Sequence, residues 1–424
     1  MKRLPEFDSQ ARWPLTFVIV SSCPEPWGGS EELWAQAAIQ LAQAGHQVHI
    51  YKTTVDRWHP RISTLRSAGC TVTDLHQLLP WVIRFRNRVL PNRWRYSAHR
   101  GRAILTHALA ATQPDLAIVA QGNNFDGVDY ADLCRQQKQP YVLIAQKAVN
   151  FFFPQDADRR KIKEAYRAAR HCFFVSQHNL ALTRQQLSLP LPNASVVANP
   201  VHISLQQTAP IPMPPVQEEL YRLACVARLD VLDKGQDLLL DVLQQPKWRS
   251  RAIHLTFFGA GPHQKALQEL VDFMGLSDLV AFGGHVSNPA IIWQTHHALV
   301  LPSRSEGLPL ALVEAMLCGR PAIATNAGGI AELLLDNQVG FLAKAASVDA
   351  IDEALERAWE QRTNWTAMGQ VAARYVREAM PANPAALFSQ HLLDAVKRYP
   401  TTSHTYASAF NLDYHSDLQS RASD

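Results

Sequence analysis

The sequence predicts an α/β protein built from two doubly wound, parallel-sheet domains. Short β-branched or apolar runs alternate with amphipathic stretches, the pattern of successive βαβ units. The 424 residues exceed one ordinary domain and suit two cores. The alternation breaks once, at a proline-rich connector, and then restarts. With 47% apolar and 18% charged residues, the chain has a globular balance, neither disordered nor fibrous.

The opening is a βαβ unit. Leu15–Val20 reads as a strand, and Ser21-Ser-Cys-Pro-Glu-Pro-Trp-Gly28-Gly29-Ser30 as a glycine-bearing loop. A helix follows from about Glu31 to Ala44, then a helix stop and second strand over Gly45–Tyr51. Gly28 and Gly29 allow close backbone approach to a ligand and φ > 0, or a plain tight turn. Glu31 and Glu32 are expected to compensate the helix dipole. Further strands are predicted at 116–120, 141–145, 172–175 and 195–197. Asp156-Ala-Asp158 matches a metal-holding D-x-D pattern, but it opens a basic helix, where Asp is an ordinary cap or first-turn residue.

The first domain is predicted over residues 1–202 and a semi-stiff connector with four prolines over 203–216. The second domain, 217–379, reads as strands at 222–227, 254–259, 280–283 and 298–301, with helices at 236–244, 262–274, 289–294 and 348–360. A last helical stretch, about 380–398, is expected to pack back on the first domain, and 400–424 is expected to be a mobile polar tail.

The chemistry concentrates in Ser303-Arg-Ser305-Glu306-Gly307-Leu308-Pro309-Leu-Ala-Leu-Val-Glu314-Ala-Met-Leu-Cys-Gly319, a loop that becomes a helix. Pro309 suits the first helical position, Gly319 the stop, and Pro321 blocks continuation. Unpaired amides and the positive dipole end at such a helix start favour an anion such as a diphosphate. Glu306 sits on the loop and Glu314 inside the helix, as two acceptor-only carboxylates for sugar and ribose hydroxyls. By itself an E-x7-E pair reads equally as a dipole-compensating acid and a solvated helical acid. Arg228 and Lys234 lie six residues apart in a predicted loop after a strand, the sheet edge where open α/β folds bind ligands; taken alone they read as solvated charges. Phe257-Phe-Gly259-Ala-Gly261 lacks the third glycine of the dinucleotide fingerprint, which argues against a nicotinamide enzyme.

Together, Glu306-Gly-Leu-Pro-Leu-Ala-Leu-Val-Glu-Ala-Met, Gly319-Arg-Pro, Gly328-Gly-Ile-Ala-Glu332 and Gly340-Phe-Leu resemble the retaining GT-B glycosyltransferases of the family 4 type. The resemblance is closest over 223–342 and thinnest over 55–195. It implies a GT-B fold, two Rossmann-like domains facing across a cleft. It implies hexosyl transfer from a nucleotide-diphosphate sugar to an acceptor hydroxyl with retention, in glycan, exopolysaccharide or glycolipid assembly. The nucleotide-sugar would be a co-substrate, with no cofactor and no metal. Arg228 and Lys234 would contact the diphosphate, Glu306 the hexose and Glu314 the ribose, with Ser305, Gly307, Leu308 and Pro309 lining the donor. Gly259, Gly261, His285 and Val286 would surround the nucleobase, and Gly28 and Gly29 would lie near the diphosphate and acceptor. The resemblance makes Glu306, Arg228 and Lys234 the catalytic candidates. Where many members carry a histidine, this chain has Gln146, an acceptor-side candidate that cannot shuttle a proton. A GT-B epimerase or phosphorylase, or a non-catalytic scaffold, would share the fold.

The net charge of +4 is local: Trp81 to Arg102 contains seven arginines and no acid. With its interleaved aromatics, this stretch, including Arg84, Arg86, Arg88, Arg93 and Arg95, reads either as a solvated surface or as a contact with anionic lipid. Nucleic acid, the same partner electrostatically, is not expected. Six scattered cysteines without a C-x-x-C pair read as buried thiols of a reducing compartment. Without an apolar leader or an 18-residue apolar run, the expected location is cytoplasmic, with peripheral attachment to the inner membrane face through the arginines.

Overall fold

The structure, a computed structural model, describes residues 14–75, 97–204, 209–217 and 219–397. The arginines at 84–95, the tail beyond 397 and part of the connector lie outside the described residues.

The first sheet comprises β1 (Thr16–Ser21), β2 (Gln47–Lys52), β3 (Thr71–Asp74), β4 (Leu116–Gln121), β5 (Tyr141–Ala145), β6 (His171–Phe174) and β7 (Ala194–Val196), in the order β3-β2-β1-β4-β5-β6-β7. Every pairing is parallel, for example Ile19 opposite Ile50 and Ile118. Because a strand alternates faces, β1 feeds two cores. Phe17 and Ile19 face helices Glu32–Gln43 and Pro384–Val396, while Val18 and Val20 face helices Ser97–Thr112, Val128–Gln136 and Asp156–Ala168. A sheet covered on both faces explains why its strands read as nearly continuous apolar runs.

The second sheet comprises β8 (Tyr221–Val226), β9 (Ile253–Phe258), β10 (Val280–Gly284), β11 (Ala298–Leu301), β12 (Ala322–Thr325) and β13 (Gly340–Ala343), ordered β10-β9-β8-β11-β12-β13. This is the doubly wound order, with its switch point beside β8. β3, β12 and β13, too short and too weakly patterned to register in the sequence, complete the two sheets.

Several expectations need correction. Pro289–Gln294 is a 3-10 helix rather than an α-helix. Lys234 ends a one-turn helix, Val231–Lys234, instead of lying in open loop. The stretch around 203 is not a free connector: Ala198 and Ile203 already lie in the second domain's core. The guanidinium of Arg320, fully buried, donates to the carbonyls of Ile211 and Pro212 at 2.8 and 2.9 Å, and burial lowers its pKa to about 10. The prolines are thereby bolted to the second domain. Helix Pro384–Val396 crosses back: Phe388 packs edge-on against Phe173, ring centroids 5.1 Å apart, and Ser389 donates to Gln40 at 3.1 Å.

Candidate active site

The glycine-bearing loop after β1 is set by a cation from the neighbouring strand. Lys52, fully buried, places Nζ 2.9 Å from Glu31 Oε1 and donates to the carbonyls of Glu25 at 2.6 Å and Cys23 at 3.4 Å. Glu31 also accepts from Ser21 Oγ at 2.9 Å. Burial raises its pKa, with Lys52 opposing. Glu31 and Glu32 are therefore not surface acids facing a dipole. Glu32 too is buried, gripped by Arg61 at 2.8 Å and Trp27 Nε1 at 2.9 Å. Neither Gly28, extended at φ −151°, nor Gly29 needs a positive φ. What Gly29 provides is proximity, since a Cβ there would meet Leu310 of the other domain at 3.2 Å.

In the second domain, β8 delivers Arg228 and the following short helix delivers Lys234. The Lys234 ammonium donates to both carboxylate oxygens of Glu306, at 2.7 and 2.8 Å. Ser303 Oγ donates to the same Glu306 at 2.7 Å, and Glu306 is buried. Arg228 is ringed by carboxylates: Glu25 at 2.7 Å, Asp230 at 2.8 Å and Asp233 at 3.2 Å. Pro309 is the N-cap of helix Leu310–Leu317, not its first residue, so that helix starts one position later than the sequence suggested. Gly319, at φ +75°, lies just past its Cys318 C-cap, where a stop was expected.

Four contacts tie the domains across the cleft. Glu25 of the first domain meets Arg228, and Lys147 meets Asp233 at 2.7 Å. The two contacts share Asp233, giving the ionic chain Glu25, Arg228, Asp233, Lys147. His202 donates its backbone N–H at 3.0 Å to Glu314 Oε1 and holds its Nδ1 2.9 Å from the same oxygen, with Nε2 4.0 Å from Glu32 of the first domain. That hydrogen bond to Glu314 raises the His202 pKa. Glu332 accepts from the amides of Gln177 at 3.0 Å and His178 at 2.8 Å, at the start of helix Gln177–Leu187. Where these ties converge, a Cβ at Gly307 would sit 2.0 Å from the Gln146 carbonyl.

The candidate site residues thus separate. Arg228, Lys234, Ser305, Glu306, Gly307 and Gln146 come together at the cleft. Gly259 and Gly261 are demanded by packing, since a Cβ on either would run into the carbonyls of Ala227 or Leu229, at 2.1 and 2.4 Å. His285 is exposed, and Val286 packs against the second core. Gln146 is buried, its Oε1 accepting from Asn199 at 2.7 Å, while its Nε2, Asn199 Oδ1 and Ser305 Oγ have no hydrogen-bond partner. Unpaired buried polar atoms in such a place mark groups left for a ligand or water. Asp158 lies in the first turn of helix Asp156–Ala168 and pairs with Lys161 at 3.5 Å, the capping reading of that D-x-D. Glu25, Lys147, Asp233, His202 and Glu332 are additions from the structure. Lys147 and Asp233 adjoin residues already singled out, whereas His202 carries no sequence signal.

Comparison with known proteins fits this geometry. Residues 213–375 match the family model of the glycosyl transferases group 1. A GDP-mannose-dependent alpha-(1-6)-phosphatidylinositol monomannoside mannosyltransferase of Mycobacterium tuberculosis is 32% identical over 163 residues, 36% of this chain and 42% of that protein. A D-inositol 3-phosphate glycosyltransferase of Paenarthrobacter aurescens is 28% identical over 148 residues, 34% of this chain and 36% of that protein. The chain therefore aligns with less than half the length of these curated relatives. In fold the likeness is wider. Anabaena HepE, solved with UDP-glucose, superposes at TM-score 0.69 with 17% identity, covering 90% of this chain and 100% of that one. The sucrose-phosphate synthase of Thermosynechococcus elongatus does so at 0.69 with 18% identity, covering 90% and 98%. The chain has the GT-B fold, and its residues 213–375 form a glycosyl transferases group 1 domain.

Proposed function

We propose that this protein transfers a hexosyl unit from a nucleotide-diphosphate sugar to an acceptor hydroxyl with retention at the anomeric carbon, without a metal. The observation that carries the reading is the meeting of Arg228, Lys234 and the start of helix Leu310–Leu317 around Glu306 at the cleft. Each cation is held by carboxylates, which a diphosphate of higher charge would displace. Growing charge on the leaving diphosphate would meet fixed donors, the usual source of the largest rate gain. The relative from Mycobacterium tuberculosis is named for GDP-mannose and HepE was solved with UDP-glucose, so a nucleotide-sugar donor suits both kinds of neighbour.

In this reading the acceptor oxygen attacks C1 on the face the diphosphate leaves. The acceptor O–C1 bond forms, the C1–O bond to the diphosphate breaks, and a phosphate oxygen takes the acceptor proton. Gln146, at the place of the usual histidine, orients a hydroxyl and moves no proton. Glu306 holds the hexose, and Glu314 offers the ribose the oxygen that His202 leaves free.

The test is calorimetric titration of UDP-, GDP- and ADP-sugars into metal-free protein, with slow donor hydrolysis followed by chromatography. One donor should bind, and Glu306→Ala and Lys234→Ala should each abolish its hydrolysis. Folded protein that binds no nucleotide-sugar at millimolar concentration would overturn the reading.

A further inference from the structure

The loop after β5 carries Phe151, Phe152 and Phe153, which are 69%, 41% and 61% exposed. Among the described residues these are the only exposed large apolar side chains that stand consecutively. An isolated exposed apolar residue needs no explanation, but a contiguous aromatic patch does.

The exposure is not that of a loose flap, because the stem of the loop is bolted down. The Val149 amide donates to Asn124 Oδ1 at 3.0 Å, and Gln186 Nε2 donates to the Val149 carbonyl at 2.8 Å. Asn124 and Gln186 are themselves buried and joined, Nδ2 to Oε1, at 2.5 Å. Above this stem, Phe151 and Phe152 pack edge to face on each other, centroids 5.0 Å apart, rather than on a core. The fold thus holds three phenyl rings out in water.

What surrounds them indicates the partner. Residues 151–170 contain six cations, Arg159, Arg160, Lys161, Lys163, Arg167 and Arg170, against Asp156, Asp158 and Glu164. Asp158 is tied to Lys161, and Glu164 to Arg160 and Arg135. The Arg159 guanidinium lies over the Phe153 ring, 5.5 Å from its centroid. Aromatic rings projecting beside excess cations match the layering of an anionic bilayer surface, acyl boundary beneath phosphate headgroups. A glycan would require hydrogen-bonding groups beside a stacking face, and phenylalanine has none.

We infer that Phe151–Phe153, with the cations of helix Asp156–Ala168, form a docking surface for an anionic lipid bilayer. The docking holds the cleft at the membrane, because the same loop begins at Lys147, which bridges to Asp233. The inference goes beyond the transfer reading and does not depend on the donor.

The experiment is co-sedimentation of the full chain with vesicles of phosphatidylcholine alone or mixed with phosphatidylglycerol, at low and high salt. Wild-type protein should bind the anionic vesicles, less so at high salt. Phe151→Ser/Phe152→Ser/Phe153→Ser should reduce partitioning by about tenfold or more. Arg160→Gln/Lys163→Gln/Arg167→Gln should remove its dependence on phosphatidylglycerol. Because the rings are exposed, the triple serine variant should keep the wild-type melting temperature and donor hydrolysis in solution. Equal binding by the serine variant would assign attachment to another surface, such as the arginines of 81–102. Wild-type protein that stays in the supernatant, or a serine variant that melts early, would also overturn the inference. Donor hydrolysis, read without vesicles, reports separately on the proposed transfer.

Discussion

Glu306 and Lys234 form a single buried unit, so removing one partner is worse than removing both. Lys234→Ala leaves a carboxylate buried with Ser303 as its remaining side-chain partner, which should cost about 3 kcal/mol of stability in urea unfolding. Lys234→Met/Glu306→Leu should recover most of that stability while donor turnover stays absent. A double variant as unstable as the single one would show that the pair is not what holds this loop. His202 gives a pH-dependent counterpart. Its folded pKa lies above the ordinary 6.5, first because of the hydrogen bond to Glu314. The stability it contributes is complete below the unfolded value and fades as pH rises through the raised one. Melting temperature should therefore fall with rising pH from about 6.5 upward, and Glu314→Gln should flatten that slope. A slope unchanged in Glu314→Gln would place the titration elsewhere.

At the level of elements, the site is made by strand ends and loops pressed together too closely for side chains. The loop before helix Leu310–Leu317 passes under the end of β5, so Gly307→Ala would drive a methyl group into the Gln146 carbonyl. Backbone cannot yield as a side-chain tip would, so the loops must separate. Donor affinity should drop by roughly tenfold or more, from a strain of about 1.5 kcal/mol. Unfolding cooperativity should be retained; unchanged affinity in calorimetry would show that the loops have slack. The glycines at 259 and 261 serve the same purpose, bringing the turn after β9 onto the segment that carries Arg228.

At the scale of the molecule, the two domains are held closed by four polar ties, of which the Glu332 carboxylate on the start of helix Gln177–Leu187 is the most self-contained. A charge-assisted hydrogen bond contributes about 1.5 kcal/mol. Glu332→Ala should shift the open-to-closed ratio roughly tenfold toward open. Small-angle scattering should then report a larger radius of gyration, and the amides of Gln177 and His178 should exchange faster. Identical scattering and exchange would mean that Glu332 merely caps a helix. Among the described residues no helix is long and apolar enough to cross a membrane, so any bilayer contact is made by a surface.

What the sequence determined by itself was whatever depends on local pattern. Parallel strands covered on both faces appear as apolar runs, and helix Leu310–Leu317 announces its stop through Gly319 and Pro321. Arg228, Lys234, Glu306 and Glu314 stand in segments whose order and spacing resemble a known family, so they were legible as a set. Tertiary structure alone decided the partners. Lys52 reaches Glu31 and the loop before it because β2 lies beside β1. Glu25, Lys147, His202 and Glu332 acquire roles only because the second domain closes on the first. An ion pair across a cleft leaves no periodicity in either strand of sequence, and exposure of three consecutive phenylalanines cannot be told from burial until the loop's stem is seen to be fixed. Chemistry carried within one segment is readable from that segment, whereas chemistry assembled from two domains follows from their packing.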